Sequence, residues 1–295
     1  MGVRKVLVVG CGYIGLPLAW YAQTASAMVY ATTRRPERFA DLHGLGFHPV
    51  QWDVLGDNAD PLPQVDAVVY TVGFDRKAGR PMRDVYVEGL VRTLAALSGR
   101  PRVVYASSTG VYGDARGAFV DETCPPSPTD EAGTNCLLAE LALTRFGRER
   151  DVPFCILRFA GLYGLGRLIS GDALQRGEPI PGDGAAWLNL VNQEDAALAL
   201  WKAIELGQPG EIYNIADGSP VRRADFYSKL AELLNAPPPT FAPELARRRR
   251  GNRRINADKA RWKLAWAPRY PSYVEGLDAI VREMRRLTPK ASGEV

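Results

Sequence analysis

The sequence predicts an α/β fold, a doubly wound parallel sheet carrying a smaller C-terminal lobe. Three observations point there. Short β-rich runs alternate with helical patterns through the first half. The first strand runs directly into a glycine-rich turn that opens a helix. Polar and glycine residues gather at the carboxyl ends of successive strands, where open parallel sheets hold their ligands.

Lys5 to Val9 is the first strand, an apolar run read as buried on both faces. It enters Gly10-Cys11-Gly12-Tyr13-Ile14-Gly15, a G-x-G-x-x-G turn, with a helix from Tyr13 to Thr24 behind it. Gly10 permits the tight turn, Gly12 lets backbone N–H groups approach a pyrophosphate, and Gly15 allows close helix–strand packing. Tyr13 and Ile14 open the helix, whose positive end would hold the phosphates. The turn is that of a Rossmann-type dinucleotide-binding fold. Pro17 is compatible, because a first-turn residue needs no intrahelical N–H bond.

Further strands are read at Ala27 to Thr33, His48 to Trp52, Ala67 to Val72, Arg102 to Ser107 and Phe154 to Phe159. Helices are read at Pro36 to His43, Met82 to Leu97 and Asp130 to Arg150. After Tyr163 the texture turns to loops, as in Gly177-Glu178-Pro179-Ile180-Pro181-Gly182. A helix from Asn192 to Glu205, a strand from Glu211 to Asn214, and helices at Ala224 to Leu234 and Tyr273 to Leu287 complete the pattern. The expected division assigns 1–163 plus 189–216 to the dinucleotide-binding part, and 164–188 plus 217–295 to a substrate-binding lobe.

The 295 residues suffice for a sizeable core, and 46% hydrophobic with 24% charged residues is ordinary for a globular protein. No apolar run has the length of a membrane span, and the first strand begins too early for a signal peptide; a cytoplasmic location is expected. Cys11, Cys124, Cys136 and Cys155 have no C-x-x-C spacing, so neither a disulfide framework nor a zinc site is read, and no metal is expected. With only His43 and His48, histidine catalysis has little material. The net charge of +4 is concentrated in Arg247-Arg248-Arg249-Arg250, Arg253 and Arg254. No nucleic-acid motif accompanies this run, and no nucleic acid is expected. A solvated helix face accounts for it, as does a small anionic substrate bound by Arg253 and Arg254.

The end of the second strand bears on the choice of dinucleotide. Thr32-Thr33-Arg34-Arg35 carries no carboxylate before Glu37, whereas an acidic residue there would take the ribose hydroxyls of NAD. Arg34 and Arg35 stand where a 2′-phosphate would lie, which favours NADP, with NAD as the other option.

With the turn, Asp53-Val54 and Ser107-Ser108-Thr109-Gly110-Val111-Tyr112-Gly113, the chain resembles the extended short-chain dehydrogenase/reductases, the NAD-dependent epimerase/dehydratase group. The match continues through Asp121-Glu122-Thr123, Ala139-Glu140 and Leu157-Arg158-Phe159-Ala160-Gly161-Leu162-Tyr163-Gly164. The resemblance implies that Asp53 and Val54 contact adenine, that Thr71, Val72 and Gly73 form the loop under the cofactor ribose, and that Ser107 lies beside the nicotinamide. Ser108 takes the catalytic Ser/Thr position. Members with G-x-x-G-x-x-G have glycine where Val9 stands here, and the dehydratases' Asp-Glu is here Thr109-Gly110. The family's Tyr-x-x-x-Lys pair falls on Ala132 and Cys136; no tyrosine lies between Tyr112 and Tyr163 and no lysine between Lys77 and Lys202. A replacement proton donor is therefore needed, and general acid–base catalysis typically contributes about 10² to 10⁴ in rate. Tyr112, in the strand-end loop nearest the nicotinamide, is the first candidate, with Tyr163, Ser108 and Cys136 as the others.

The function expected is that of an NADP-dependent oxidoreductase or epimerase acting on a small anionic, nucleotide-sugar-like substrate. The alternative is a non-catalytic dinucleotide-binding protein that reports redox state. The helices at Met82 to Leu97 and Asp130 to Arg150 match the pair through which many relatives dimerise, so either a monomer or a homodimer is expected.

Overall fold

Seven strands form one parallel sheet in the computed structural model, which describes residues 3–58, 60–245 and 251–287. In chain order they are β1 (Lys5–Val9), β2 (Met28–Thr33), β3 (His48–Gln51), β4 (Ala67–Tyr70), β5 (Arg102–Ser108), β6 (Phe154–Phe159) and β7 (Ile212–Ile215). Their spatial order is β7-β6-β5-β4-β1-β2-β3, with every neighbouring pair parallel. The order reverses between β1 and β4, opening a crevice at their carboxyl ends.

Both faces of the sheet are covered, which explains why its inner strands read as continuous apolar runs. On one face, Val6 and Val8 pack with Leu18 and Ala19 of α1 (Gly15–Thr24) and with Leu200 of the helix Gln193–Leu206. On the other, Leu7 and Val9 pack with Leu90 and Leu94 of α3 (Gly89–Ala95) and Leu143 of α4 (Glu131–Arg150). Between these helices in the chain, α2 (Phe39–Gly44) follows a single 3₁₀ turn that begins at Pro36. The helix Gln193–Leu206 is hereafter α5, and α6 (Arg223–Leu234) and α7 (Tyr273–Leu287) follow it. A third apolar cluster joins Phe226, Tyr227 and Leu230 of α6 to Leu277 and Ile280 of α7, with Tyr163 and Leu190 beside them.

Helix starts follow side-chain chemistry. Asp130 caps α4, its carboxylate accepting from the Gly133 N–H at 2.8 Å, and Asn192 caps α5 by accepting from the Glu194 N–H at 2.9 Å. The helical stretch expected from Met82 to Leu97 differs from its prediction: Asp84–Glu88 forms a π-helical turn ahead of α3. The carbonyl of Val85 in that turn accepts a hydrogen bond from the Tyr70 hydroxyl at 3.2 Å. Apolar periodicity does not register such an insertion, because the residues flanking it remain buried.

After the sheet, the chain returns to its first half. Arg254–Ile255 pairs in parallel with Phe119–Val120, and Trp187–Leu188 pairs antiparallel with Val221–Arg222. Arg247 to Arg250 of the basic run lie outside the described residues.

Two acids are buried, Asp195 in the first turn of α5 and Asp217 just after β7. Asp195 accepts from the N–H groups of Arg269 and Tyr270, yet burial pushes its carboxyl up to about 6. Asp217 accepts from the Ser219 N–H, but its second oxygen is buried without a partner, and burial pushes it up to about 7. Both folded pKa values lie above the unfolded one, so the native state binds these protons more tightly. That contribution is fully present below about pH 4 and is lost as pH rises through the folded values. Urea denaturation at about pH 5 and about pH 8 is expected to show wild-type stability falling by on the order of 2 kcal/mol, with a shallower fall in Asp217→Asn. An unchanged slope in Asp217→Asn would remove this acid from the account.

Candidate functional site

The sharp turn after β1 is held from three sides. Gly10 has φ of +90°, a left-handed conformation, and a Cβ there would press on the Val72 backbone. The Gly10 N–H donates to Thr32 Oγ1 at 3.0 Å, and the Thr71 hydroxyl donates to the Gly10 carbonyl at 2.8 Å. A Cβ on Gly15 would strike that same carbonyl and the Thr71 hydroxyl, so Gly15 sets the close approach of α1 to the turn. Gly12 differs: a Cβ there would meet only the Gly10 carbonyl, at 3.9 Å. Its open side faces a cavity of about 810 Å³.

That cavity runs along the carboxyl ends of the strands, from β3 across to β6. At the β2–β3 end it is lined by Arg34, Arg35, Asp53 and Val54. Gly10, Gly12, Tyr13 and Ile14 line the middle, opposite Thr71, Val72 and Gly73. Ser107, Ser108 and Arg253 line the β5–β6 end. These sequence-derived positions share one wall-to-wall space, while Gly15 stands behind it as packing.

Tyr112 and Arg254 are elsewhere. Tyr112 is not among the cavity's lining residues and is only 5% exposed. Its hydroxyl donates to Asn214 Oδ1 at 2.8 Å, the Arg158 guanidinium lies 4.8 Å from its ring centre, and burial raises its pKa. The expected proton donor is thus a packed residue of the interior. Arg254 also lies outside the lining, as the first residue of the strand Arg254–Ile255 that pairs with Phe119–Val120. Its guanidinium donates to the Gly117 carbonyl and stacks on Phe119 and Trp187, at 4.1 and 5.1 Å from the ring centres.

Beneath Ser107 lies a buried polar network. The Ser107 hydroxyl donates to Glu140 Oε1 at 2.5 Å, and Arg158 donates to both oxygens of that carboxylate, at 3.0 and 2.7 Å. With its proton committed to Glu140, Ser107 presents an acceptor to the cavity. Ser108, whose Oγ accepts from the Gly110 N–H at 3.1 Å, keeps its own hydroxyl proton available.

Further side chains line the cavity, of which Arg38 and Arg223 were not singled out from sequence. Arg38 joins Arg34 and Arg35, donating to the Cys11 carbonyl through both terminal nitrogens at 3.3 Å. Its place one helical turn beyond Arg34-Arg35 was the available signal. Arg167 and Arg223 join Arg253 across the second lobe. Arg253 is anchored on the Gly113 and Gly251 carbonyls, its Nε is buried without a hydrogen-bond partner, and burial lowers its pKa. Cys136 lines the cavity as well, its thiol pushed up to about 12 by burial and then by the charges of Glu140 and Asp130; Ala132 is not in the lining. Among the described residues no group of His, Cys, Asp and Glu is arranged to hold a metal ion, and no helix is long and apolar enough to cross a membrane.

The sequence matches the model of the NAD dependent epimerase/dehydratase family over residues 6–216. The chain belongs to that family. Protein YeeZ of Escherichia coli strain K12 is 33% identical over 251 residues, covering 82% of this chain and 88% of YeeZ. A 3-diazoavenalumate denitrifying reductase from a Streptomyces species is 28% identical, over 92% of this chain and 99% of the reductase. The structure of MoeE5 in complex with UDP-glucose and NAD superimposes with a TM-score of 0.78 at 25% identity, over 96% of this chain and 99% of MoeE5. The seven-stranded sheet, the glycine turn and the serine strand end of this chain are thus those of an epimerase/dehydratase family member.

The glycine geometry separates folding from binding. Gly12→Ala is expected to leave the melting temperature within about 2 °C while weakening NADH or NADPH binding at least about tenfold, read by thermal denaturation and calorimetry. Gly15→Ala is expected to lower stability by about 2–4 kcal/mol, since backbone cannot yield as a side chain can.

Proposed function

We propose that this protein is an NADP-dependent oxidoreductase or epimerase acting on a small anionic, nucleotide-sugar-like substrate. The observation that carries the reading is the single cavity that joins the glycine turn to Ser108 and Arg253. Its size suits a ligand of dinucleotide dimensions with a second molecule beside it. MoeE5, with UDP-glucose and NAD in its structure, supports the pairing of a nicotinamide dinucleotide with a nucleotide sugar. The reductase relative supports redox chemistry.

NADP is favoured by charge. Arg34, Arg35 and Arg38 line the β2 end, and no carboxylate of β2 reaches it. Arg34 pairs with Asp75 at 2.8 Å, but both side chains are half exposed, and such pairs are weak. A dianionic 2′-phosphate offers Arg34 a stronger bidentate partner. At the other end, Arg253 would face the substrate's anion, with Arg167 and Arg223 beside it. Ser108 would hold the reacting oxygen. The domain division drawn from sequence fits this reading, the glycine turn lying in the first part and Arg167, Arg223 and Arg253 in the second.

The burial of Tyr112 favours a second reading, a dinucleotide-binding protein without catalysis that responds to the redox state of its ligand. In it the same cavity binds the dinucleotide and the second lobe serves as a reporter.

Calorimetric titration with NADPH and with NADH tests the first reading. Wild-type protein is expected to prefer NADPH at least about tenfold, and the double variant Arg34→Ala with Arg35→Ala to lose most of that preference. An unchanged affinity ratio in the double variant would reject the phosphate clamp. Turnover of reduced dinucleotide with carbonyl compounds, faster for phosphorylated ones than for neutral analogues, separates the enzyme from the reporter.

A further inference from the structure

Two ion pairs cross the β2–β3 end of the cavity. Arg34, in the turn after β2, reaches Asp75 Oδ2 at 2.8 Å, and Asp53, after β3, lies 3.9 Å from Arg80. Asp75 and Arg80 both belong to the segment that follows β4, and β1 lies between β4 and β2 in the sheet. The pairs therefore span the end of β1, and all four residues line the cavity.

NAD is ordinarily recognised by a carboxylate at the end of β2, which accepts from hydroxyls of the adenosine ribose. Here β2 ends in Thr32-Thr33, and Glu37, the first acid after it, is exposed and outside the lining. Among the described residues, three carboxylates do line the cavity: Asp53, Asp75 and Asp130. Asp130 caps α4, and Asp53 gives one oxygen to the Leu55 N–H at 2.9 Å. Asp75 stands beside Arg34, so an acid that β2 lacks in sequence is brought to its end from another strand.

Both oxygens of Asp75 are oriented. Oδ1 accepts from the Lys77 N–H at 2.9 Å, opening the 3₁₀ turn Arg76–Ala78, while Oδ2 meets Arg34. The Lys77 N–H first, with Arg34 adding to it, holds the carboxyl below its ordinary pKa, so it is charged at neutral pH. An ionised carboxylate has about four acceptor sites, and these two contacts leave room for a hydroxyl donor. A 2′-phosphate is different. It repels the carboxylate and competes with it for the Arg34 fork.

We propose that Asp75 tunes the choice between NAD and NADP: it accepts from the adenosine-ribose hydroxyls of NAD while keeping Arg34, and gives Arg34 up to the 2′-phosphate of NADP. This rests on the dinucleotide-binding reading above. It adds an opposing charge beside Arg34, so the preference for NADPH is smaller than the arginines alone would give. The opposition is partial, because the pair is half exposed.

Calorimetry with NADPH and NADH tests it, alongside ADP-ribose and its 2′-phosphate, which lack nicotinamide. Asp75→Asn keeps an oxygen to cap the 3₁₀ turn. It is expected to weaken NADH binding about three- to tenfold and to tighten NADPH binding about threefold, raising the NADPH/NADH affinity ratio about tenfold. The same shift is expected between 2′-phospho-ADP-ribose and ADP-ribose, since the contact lies at the adenosine end. A ratio that Asp75→Asn leaves within about twofold, or moves toward NADH, overturns the proposal while sparing the dinucleotide reading. A shift that the two ADP-riboses do not share overturns it as well. A wild-type protein that binds neither NADPH nor NADH overturns both readings.

Discussion

Glu140 and Arg158 form the contact on which the β5 side of the cavity depends. Their side chains are 4% and 3% exposed, and they join α4 to the middle of the sheet. Burying two charges is costly, and a well-packed apolar pair would often be as stable. What the pair provides is position. Arg158 donates twice to Glu140, Glu140 accepts from Ser107, and the Arg158 guanidinium lies over the Tyr112 ring, whose hydroxyl reaches Asn214 on β7. One ion pair thereby sets the rotamer of Ser107, the depth of Tyr112 and the seating of α4. Removing either partner would strand the other charge in the core, a loss of about 3–5 kcal/mol.

This network fixes where the Tyr112 hydroxyl points, which the sequence does not tell. A tyrosine four residues beyond Ser108, in a strand-end loop, has the right address for the cavity, and nothing in its neighbours says otherwise. Its direction is decided by Arg158 and Asn214, 46 and 102 residues along the chain, a separation that local pattern cannot report. Arg254 is a similar case. Arg253 and Arg254 are indistinguishable as adjacent arginines, but the pairing of Arg254–Ile255 with Phe119–Val120 carries Arg254 to the Gly117 carbonyl while Arg253, just ahead of the strand, reaches the Gly113 carbonyl.

Where local chemistry decides the outcome, the sequence is legible. The glycine turn, the capping residues Asp130 and Asn192, and the apolar strands each carry their conformation in a few consecutive residues. The strands from Lys5 to Phe159 could be read within one or two residues for that reason. The π-turn at Asp84–Glu88 could not, since the Tyr70 hydroxyl that meets its Val85 carbonyl comes from β4, well before it in the chain. The place of Arg223 was illegible for the opposite cause: isolated arginines at helix starts are common, and only the folding of the second lobe brings it to the cavity with Arg167.

The distribution of charge along the cavity follows from these placements. Arg34, Arg35 and Arg38 stand at one end, Arg167, Arg223 and Arg253 at the other, and between them the lining is mainly uncharged, made of glycine, threonine, serine and apolar or aromatic residues. The lining carboxylates are engaged locally: Asp53 with the Leu55 N–H, Asp75 with Arg34, and Asp130 with the start of α4. A cavity cationic at both ends and neutral in the middle attracts a ligand set whose anionic groups are far apart. The separation is enforced by the fold, for one arginine group lies in the turn that follows β2 while the other belongs to segments beyond β6. Selectivity at either end can therefore change by substitution of a loop arginine without disturbing the glycine turn. That turn is fixed by backbone contacts among Gly10, Gly15 and Thr71, which do not depend on what the two ends hold.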